Sequence, residues 1–121
     1  MQYVNLTPHR VTVTPDGSGT PATIDVEPSG VVARVETRAF HTDRYGHEHV
    51  AYGGITGLPV GEPTDDQIDD DEHPTYIVSL VTLLAAHAAK HPWRGFLVAP
   101  WQEIRDESGR IVGCRGLHTV G

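Results

Sequence analysis

The chain has one cysteine, one methionine and one lysine among its 121 residues. A lone thiol, Cys114, excludes an intrachain disulfide framework and a multi-cysteine zinc site, and it is compatible with a reducing compartment. Its setting, Ile-Val-Gly-Cys-Arg-Gly-Leu, reads as a strand in which the thiol serves as a small buried apolar residue. Aromatic residues make up only 7%, which points to a modest core supported by turns. Long apolar runs are missing too. The longest, residues 77–89, is interrupted by Ser79, Thr82 and His87 and falls short of the roughly 20 residues a membrane-crossing helix needs. No basic region followed by an apolar run marks a secretory signal, so the expected location is the cytoplasm, with no membrane partner.

Positive charge is scarce in a specific way. The formal net charge is −7, from 9 Lys and Arg against 16 Asp and Glu. Residues 62–72 hold Glu62, Asp65, Asp66, Asp69, Asp70, Asp71 and Glu72 and no cation, so the rest of the chain is formally neutral. That distribution gives no support to nucleic-acid binding by a basic patch. Of the cations only Lys90 is lysine. Arginine presents a planar fork matched to carboxylate and phosphate, so the bias fits anion recognition. Codon usage alone gives the same bias.

What is present reads as one domain over residues 1–121, of α+β class: a mainly antiparallel β-sheet, one central α-helix after a strand, and a C-terminal β-hairpin. Val11 and Val13 alternate with polar neighbours, as do Ile24 and Val26. Val31, Ala33, Val35, Thr37 and Ala39 share one face of a third stretch. Such period-2 patterns indicate antiparallel strands covering a core on one side. The polar segment 41–49, with Gly46, reads as a hairpin tip, and Gly53-Gly54 in the returning strand as a bulge. Residues 60–74, rich in acids, proline and glycine, read as a flexible acidic loop.

Order resumes at Tyr76-Ile77-Val78. Ser79 is placed to cap a helix running to about residue 90, with Leu80, Leu83, Leu84, His87 and Ala88 tracing its inner face and Pro92 beyond its end. Residues 96–99 form a short buried strand. Residues 101–105 and 110–117 then pair across a turn at Asp106-Glu107-Ser108-Gly109.

Several residues could carry chemistry. His41, His47 and His49, with Asp43 nearby, form the best metal candidate, because His47 and His49 point the same way along a strand. An exposed hairpin tip lacks the supporting hydrogen bonds of good ligands, however, and reads first as solvated surface. Ser79 lacks the flanking glycines of a nucleophile elbow and reads as a cap, although a helix start also offers N–H groups to an anion. Arg34 and Arg38 share a strand face, and Arg105 and Arg110 belong to the final hairpin. If that hairpin lies beside the Arg34 strand the guanidinium groups converge. Otherwise they are ordinary surface ion pairs. No glycine-rich phosphate loop and no HExxH motif is present, so no cofactor is expected.

Asn5-Leu6-Thr7-Pro8-His9, Ser29-Gly30 with Ala33-Arg34, Gly57-Leu58-Pro59, Tyr76-Ile77-Val78-Ser79, Pro100, Arg105-Asp106 with Gly109, and Gly113-Cys114 together resemble an uncharacterised family of short actinobacterial and actinophage proteins. These landmarks span nearly the whole chain. The resemblance supplies a context without a mechanism, and the acidic loop and His-rich hairpin depart from its pattern. It directs attention to Asn5, Thr7, His9, Ser29, Arg34, Ser79 and Arg105.

The expected function is therefore non-enzymatic binding of an anionic or nucleotide-like small molecule, of the kind a phage anti-defence sponge performs, by a homo-oligomer. The expected ligand contacts are Asn5, Thr7, His9, Arg34, Tyr76, Ser79 and Arg105, with Tyr76 or Trp101 stacking on a base. Two alternatives stand beside it: a metal-dependent hydrolase using the His cluster, and a structural or protein-interaction module of phage origin.

Overall fold

The computed structural model describes residues 2–14, 24–64 and 74–120, with the backbone alone at 37–40 and 50–53. The acidic stretch 65–73 and the first turn, 15–23, lie outside the described residues. In chain order the elements are β1 (Gln2–Asn5), β2 (Val11–Val13), β3 (Ile24–Val26), β4 (Arg34–Thr42), β5 (Glu48–Thr56), β6 (Pro74–Ile77), α1 (Leu80–Ala88), a 3₁₀ turn (Arg94–Phe96), β7 (Leu97–Arg105) and β8 (Ile111–His118). The α+β class, the dominance of strand and the C-terminal hairpin are as the alternation indicated.

Six strands form one sheet in the order β1-β6-β7-β8-β2-β3, and β4 and β5 pair only with each other. The β7–β8 and β4–β5 pairings are antiparallel and the longest, whereas β1–β6, β6–β7 and β2–β8 are parallel. The six-stranded sheet curls until its edges meet. Asn5, at the end of β1, bridges Pro28 just beyond β3, and the Ser29 N–H donates to the Asn5 carbonyl at 3.0 Å.

Closure gives the strands two apolar faces. Val11, Val13, Ile77 and Cys114 are buried together inside, with Tyr3, Ile24, Val26, Val98 and Leu117 packed against them. Neighbouring residues on the same strands, Val78, Leu97 and Ala99, face outward into a second core with Leu6, Ala33, Leu83 and Ala86. The period-2 pattern thus holds, but the intervening positions are buried as well. Burial also raises the Cys114 thiol, opposed more weakly by backbone hydrogen bonds from Trp101 and Gly116, and keeps it neutral.

α1 links the parallel strands β6 and β7. Ser79 caps it, its Oγ accepting from the Thr82 N–H at 3.2 Å. The helix ends in a Schellman motif: the His91 N–H reaches the Ala86 carbonyl at 2.9 Å, and the Lys90 N–H that of His87 at 3.2 Å. Its buried residues are Thr82, Leu83 and Ala86, while Leu80 and Leu84 are 45% and 51% exposed. The helix is therefore rotated from the face that its leucines suggest. Room is limited by Trp93, 5% exposed, which packs on Tyr76 and Phe96 and donates from Nε1 to the Gly61 carbonyl at 3.0 Å.

Two other boundaries differ. β4 begins at Arg34, so Val31, Val32 and Ala33 precede it, and Ala33 instead donates its N–H to the Leu6 carbonyl. The separate strands expected at 96–99 and 101–105 are one strand, β7. A register shift between Val35 and Thr37 falls opposite Gly53-Gly54, where the bulge was expected.

Candidate functional site

Strand directions put the carboxyl ends of β1 and β6, the outer half of β7 and the amino ends of β2 and β8 at one end of the barrel. There a groove of about 1220 Å³ opens, lined from three segments distant in sequence: Thr7 to Thr12, Ser79 with Leu80, and Pro100 to Cys114.

The first wall is shaped by Asn5, which is 1% exposed. Its Nδ2 donates to the carbonyls of His9 at 2.8 Å and Val26 at 3.0 Å. Its Oδ1 accepts from the Thr7 N–H at 2.9 Å and lies 2.6 Å from the Thr7 hydroxyl. With two carbonyls on one side and two donors on the other, the amide orientation is fixed. Asn5 thus lies behind the groove and does not line it. It folds the Thr7-Pro8-His9 turn and ties β1 to β3.

The second wall is the helix start. Ser79 Oγ is engaged with the Thr82 hydroxyl, at 2.9 Å, as well as with the Thr82 N–H. This leaves the N–H groups of Leu80 and Val81 with no partner inside the helix, at the positive end of its dipole.

The third wall is the β7–β8 hairpin. Gln102 sits there with φ of 56°, left-handed backbone that a non-glycine residue adopts only when its surroundings enforce it. Arg105 donates from Nη1 to the Gly109 carbonyl at 2.8 Å and from Nη2 to Glu103 at 3.0 Å. Trp101 is half exposed and stacks on His118, with ring centroids 6.0 Å apart.

The cations of the groove are unequal. Arg10 grips Asp25 through two hydrogen bonds of 2.6 Å and reaches Glu27 at 3.1 Å. That fork holds the Asp25 carboxyl below its usual range, chiefly by direct hydrogen bonding. The Arg105 charge is shared with Glu103. Among the described residues, the side chains of His9 and Arg110 carry no hydrogen bond or ion pair, so they are the groups available to an incoming anion.

Of the expected ligand residues, Thr7, His9, Ser79 and Arg105 line this groove. The other three do not. Asn5 is behind it. Tyr76 packs edge-on against Trp93, 6.0 Å between centroids, in the outer core. Arg34 opens β4, opposite Thr56, and the final hairpin pairs with β2 and not with β4, so the arginines do not converge as supposed. Ser29 turns the chain, its Oγ lying 3.3 Å from both the N–H and the carbonyl of Val31. Arg110 and Gln102 are the groove residues that sequence reasoning undervalued. The signal for Arg110 is its place directly after the turn glycine, Gly109, at the amino end of β8.

The histidine hairpin is exposed to solvent but internally hydrogen-bonded. Asp43 Oδ1 accepts from the N–H groups of Tyr45 at 2.9 Å and His47 at 3.0 Å. Asp43 Oδ2 lies 3.0 Å from His49 Nε2 and 3.7 Å from His47 Nδ1. The His49 contact, then the backbone bond from His47, hold the Asp43 carboxyl below its usual range. His41 stacks on His49 with centroids 4.0 Å apart and planes 12° from parallel. Stacked rings direct their nitrogen lone pairs along parallel planes and not toward one point. Among the described residues no three His, Cys, Asp or Glu side chains form a group that could hold a metal ion.

Comparison with family models, with curated proteins and with solved structures finds no match for this chain. The class is therefore defined by fold and groove: a small closed α+β barrel with a largely apolar groove at one end that also holds Arg10, Arg105 and Arg110. Among the described residues no helix is long and apolar enough to cross a membrane.

Proposed function

We propose that the protein binds an anionic, nucleotide-like small molecule in this groove without transforming it. The observation that carries the reading is the meeting of three distant segments around one space that offers both kinds of contact a nucleotide needs. Arg110, His9 and the N–H groups of Leu80 and Val81 suit phosphate oxygens. Trp101 and Pro100 offer apolar surface to a base. Thr7 and Ser79 add hydroxyl-bearing residues to the lining. A binding role fits better than acyl transfer because, among the described residues, the Ser79 hydroxyl is hydrogen-bonded to Thr82 and to no general base. Combined with the resemblance to short actinophage proteins, the reading becomes a cytoplasmic sponge that sequesters a nucleotide signal of host defence.

Thermal unfolding in the presence of mono-, di- and cyclic nucleotides tests it. A ligand at 100 times its dissociation constant adds about 2.7 kcal/mol of stability, a rise of several degrees in Tm. Arg110→Ala should abolish that rise while leaving the ligand-free Tm near the native value. If no nucleotide raises Tm at millimolar concentration, the proposal is wrong.

A further inference from the structure

Beside the groove, the molecule exposes several large apolar side chains. Leu80, Val81, Leu84, Trp101, Ile111 and Val112 are each 45% to 55% exposed. Leu80, Trp101, Ile111 and Val112 line the same groove, and Leu84 lies one helical turn from Leu80. Large exposed apolar side chains gathered in one place mark an interaction surface.

The backbone beside this patch is also incomplete. β7 pairs with β6 only at Leu97 and Val98, because β6 ends at Ile77 and the chain turns into α1. From Glu103 to Arg105, past the left-handed Gln102, one edge of β7 therefore has no strand neighbour among the described residues, while the other edge pairs with β8. An open edge next to exposed apolar side chains is a template for strand addition.

We propose that a second copy of this chain covers this face, forming a two-fold dimer in which the free β7 edges of the two copies run antiparallel. The charge pattern selects a second copy over an unrelated partner. Glu103 and Arg105 lie two residues apart on one face of β7 and contact each other at 3.0 Å. An antiparallel pairing centred on Ile104 sets Glu103 of each copy opposite Arg105 of the other, so the strand is complementary to itself. A two-fold contact requires that property. Leu84 and Val81 from each copy then meet across the axis. The contact shares Leu80, Trp101, Ile111 and Val112 with the groove lining, so it is coupled to what the groove binds.

Sedimentation equilibrium of the full chain at micromolar concentration should give the mass of two chains. Leu84→Asp, at an exposed position outside the groove lining, should give one chain with an unchanged circular dichroism spectrum. Glu103→Arg and Arg105→Glu should each weaken the dimer by at least tenfold, and the double swap E103R/R105E should restore it. A native protein that sediments as one chain overturns the proposal. So does a Leu84→Asp variant that remains dimeric, or a double swap that fails to restore association. Because Leu84 does not line the groove, nucleotide binding in Leu84→Asp reports on the groove of the single chain.

Discussion

At the scale of single residues, Asn5 holds the turn behind the groove and Gly57 the corner beside the outer core. Asn5 donates to two carbonyls and accepts from two donors in a part-buried network, of which only the Thr7 hydroxyl and the His9 carbonyl also bond to each other. Replacing it with aspartate keeps the shape but turns a carboxylate oxygen toward the His9 and Val26 carbonyls. Each buried group left unsatisfied costs about 1–3 kcal/mol, so Asn5→Asp should lower the urea midpoint by an amount equivalent to at least about 2 kcal/mol. An unchanged midpoint would show that the Thr7-Pro8-His9 turn does not need this amide. Gly57 is the second position. Its φ is 88°, and a Cβ there would press on the Val32 carbonyl and come within 2.9 Å of Ala33 Cα. The obstacle is backbone, which cannot swing away. Left-handed strain of about 1–2 kcal/mol and overpacking of about 1–3 kcal/mol add, and Gly57→Ala should lose about 2–5 kcal/mol in a chemical denaturation experiment. A variant as stable as the native chain would mean that the 57–58 corner stands clear of residue 33. Both residues belong to short landmarks visible in the sequence. What was not visible is that Asn5 acts by holding the site's backbone, because its role depends on Val26, 21 positions away.

At the scale of elements, the two hairpins share one turn. In 43–47 and again in 106–110, an aspartate Oδ1 accepts from N–H groups two and four residues ahead, and a glycine with positive φ, Gly46 or Gly109, closes the loop. The common Asp-x-x-Gly pattern is in the sequence, and the mechanism is the Asx turn. The Ser108 hydroxyl, then the Arg110 N–H, hold the Asp106 carboxyl below its ordinary range. A carboxyl depressed by folding contributes stability that is present above its unfolded pKa, about 3.9, and is lost as the pH falls through the folded value. The amide resonances of Ser108 and Arg110 should therefore titrate together below pH about 4. Asp106→Asn should keep the turn, because its side-chain oxygen accepts the same N–H groups, while removing the titration. Persistence of the titration in that variant would assign it to another group. The C-terminus of α1 offers the converse case. Lys90 occupies the left-handed position of the Schellman motif, φ 54°, where glycine is favoured. Lys90→Gly should stabilise the protein by about 0.5–1 kcal/mol, and a fall in Tm would contradict it. Here the sequence was partly misleading. Pro92 and the cap Ser79 bounded the helix well, but the leucine positions suggested a buried face that the Trp93 cluster and Thr82 displace.

At the scale of the whole molecule, the decisive event is closure of a six-stranded sheet whose strands are short and whose neighbours are distant in sequence. Alternating valines announce strands, but nothing local announces that β1 lies parallel to β6, some 70 residues later, because pairing between distant strands is chosen by which edges and faces are complementary after collapse. The four groove residues anticipated from the sequence came from landmark motifs, and only closure brings them together. The same topology divides the molecule energetically. The sheet is buried on both faces at its centre, with Ile77, Val78, Leu97 and Ala99 all at 0% exposure. By contrast, β4 and β5 pair only with each other, and a two-stranded ribbon alone is marginal in water. The ribbon gains support near its base, where Ile55 and Leu58 pack on the outer core, whereas its tip depends on Asp43 and the His41–His49 stack. Opening of the ribbon tip should therefore be a local event, well below the cost of global unfolding of about 5–15 kcal/mol. Native-state hydrogen exchange measures this directly. Amides at 41–49 should exchange by a path insensitive to low denaturant, while those of Ile77, Val78 and Leu97 exchange only by global unfolding. Protonation of Asp43 removes the acceptor of the Tyr45 and His47 N–H groups, so acidification should speed tip exchange beyond the intrinsic chemical rate before it affects the barrel. Equal protection of tip and barrel would mean that the ribbon belongs to the same cooperative unit as the closed sheet, and that the groove end does not fold independently of the histidine hairpin.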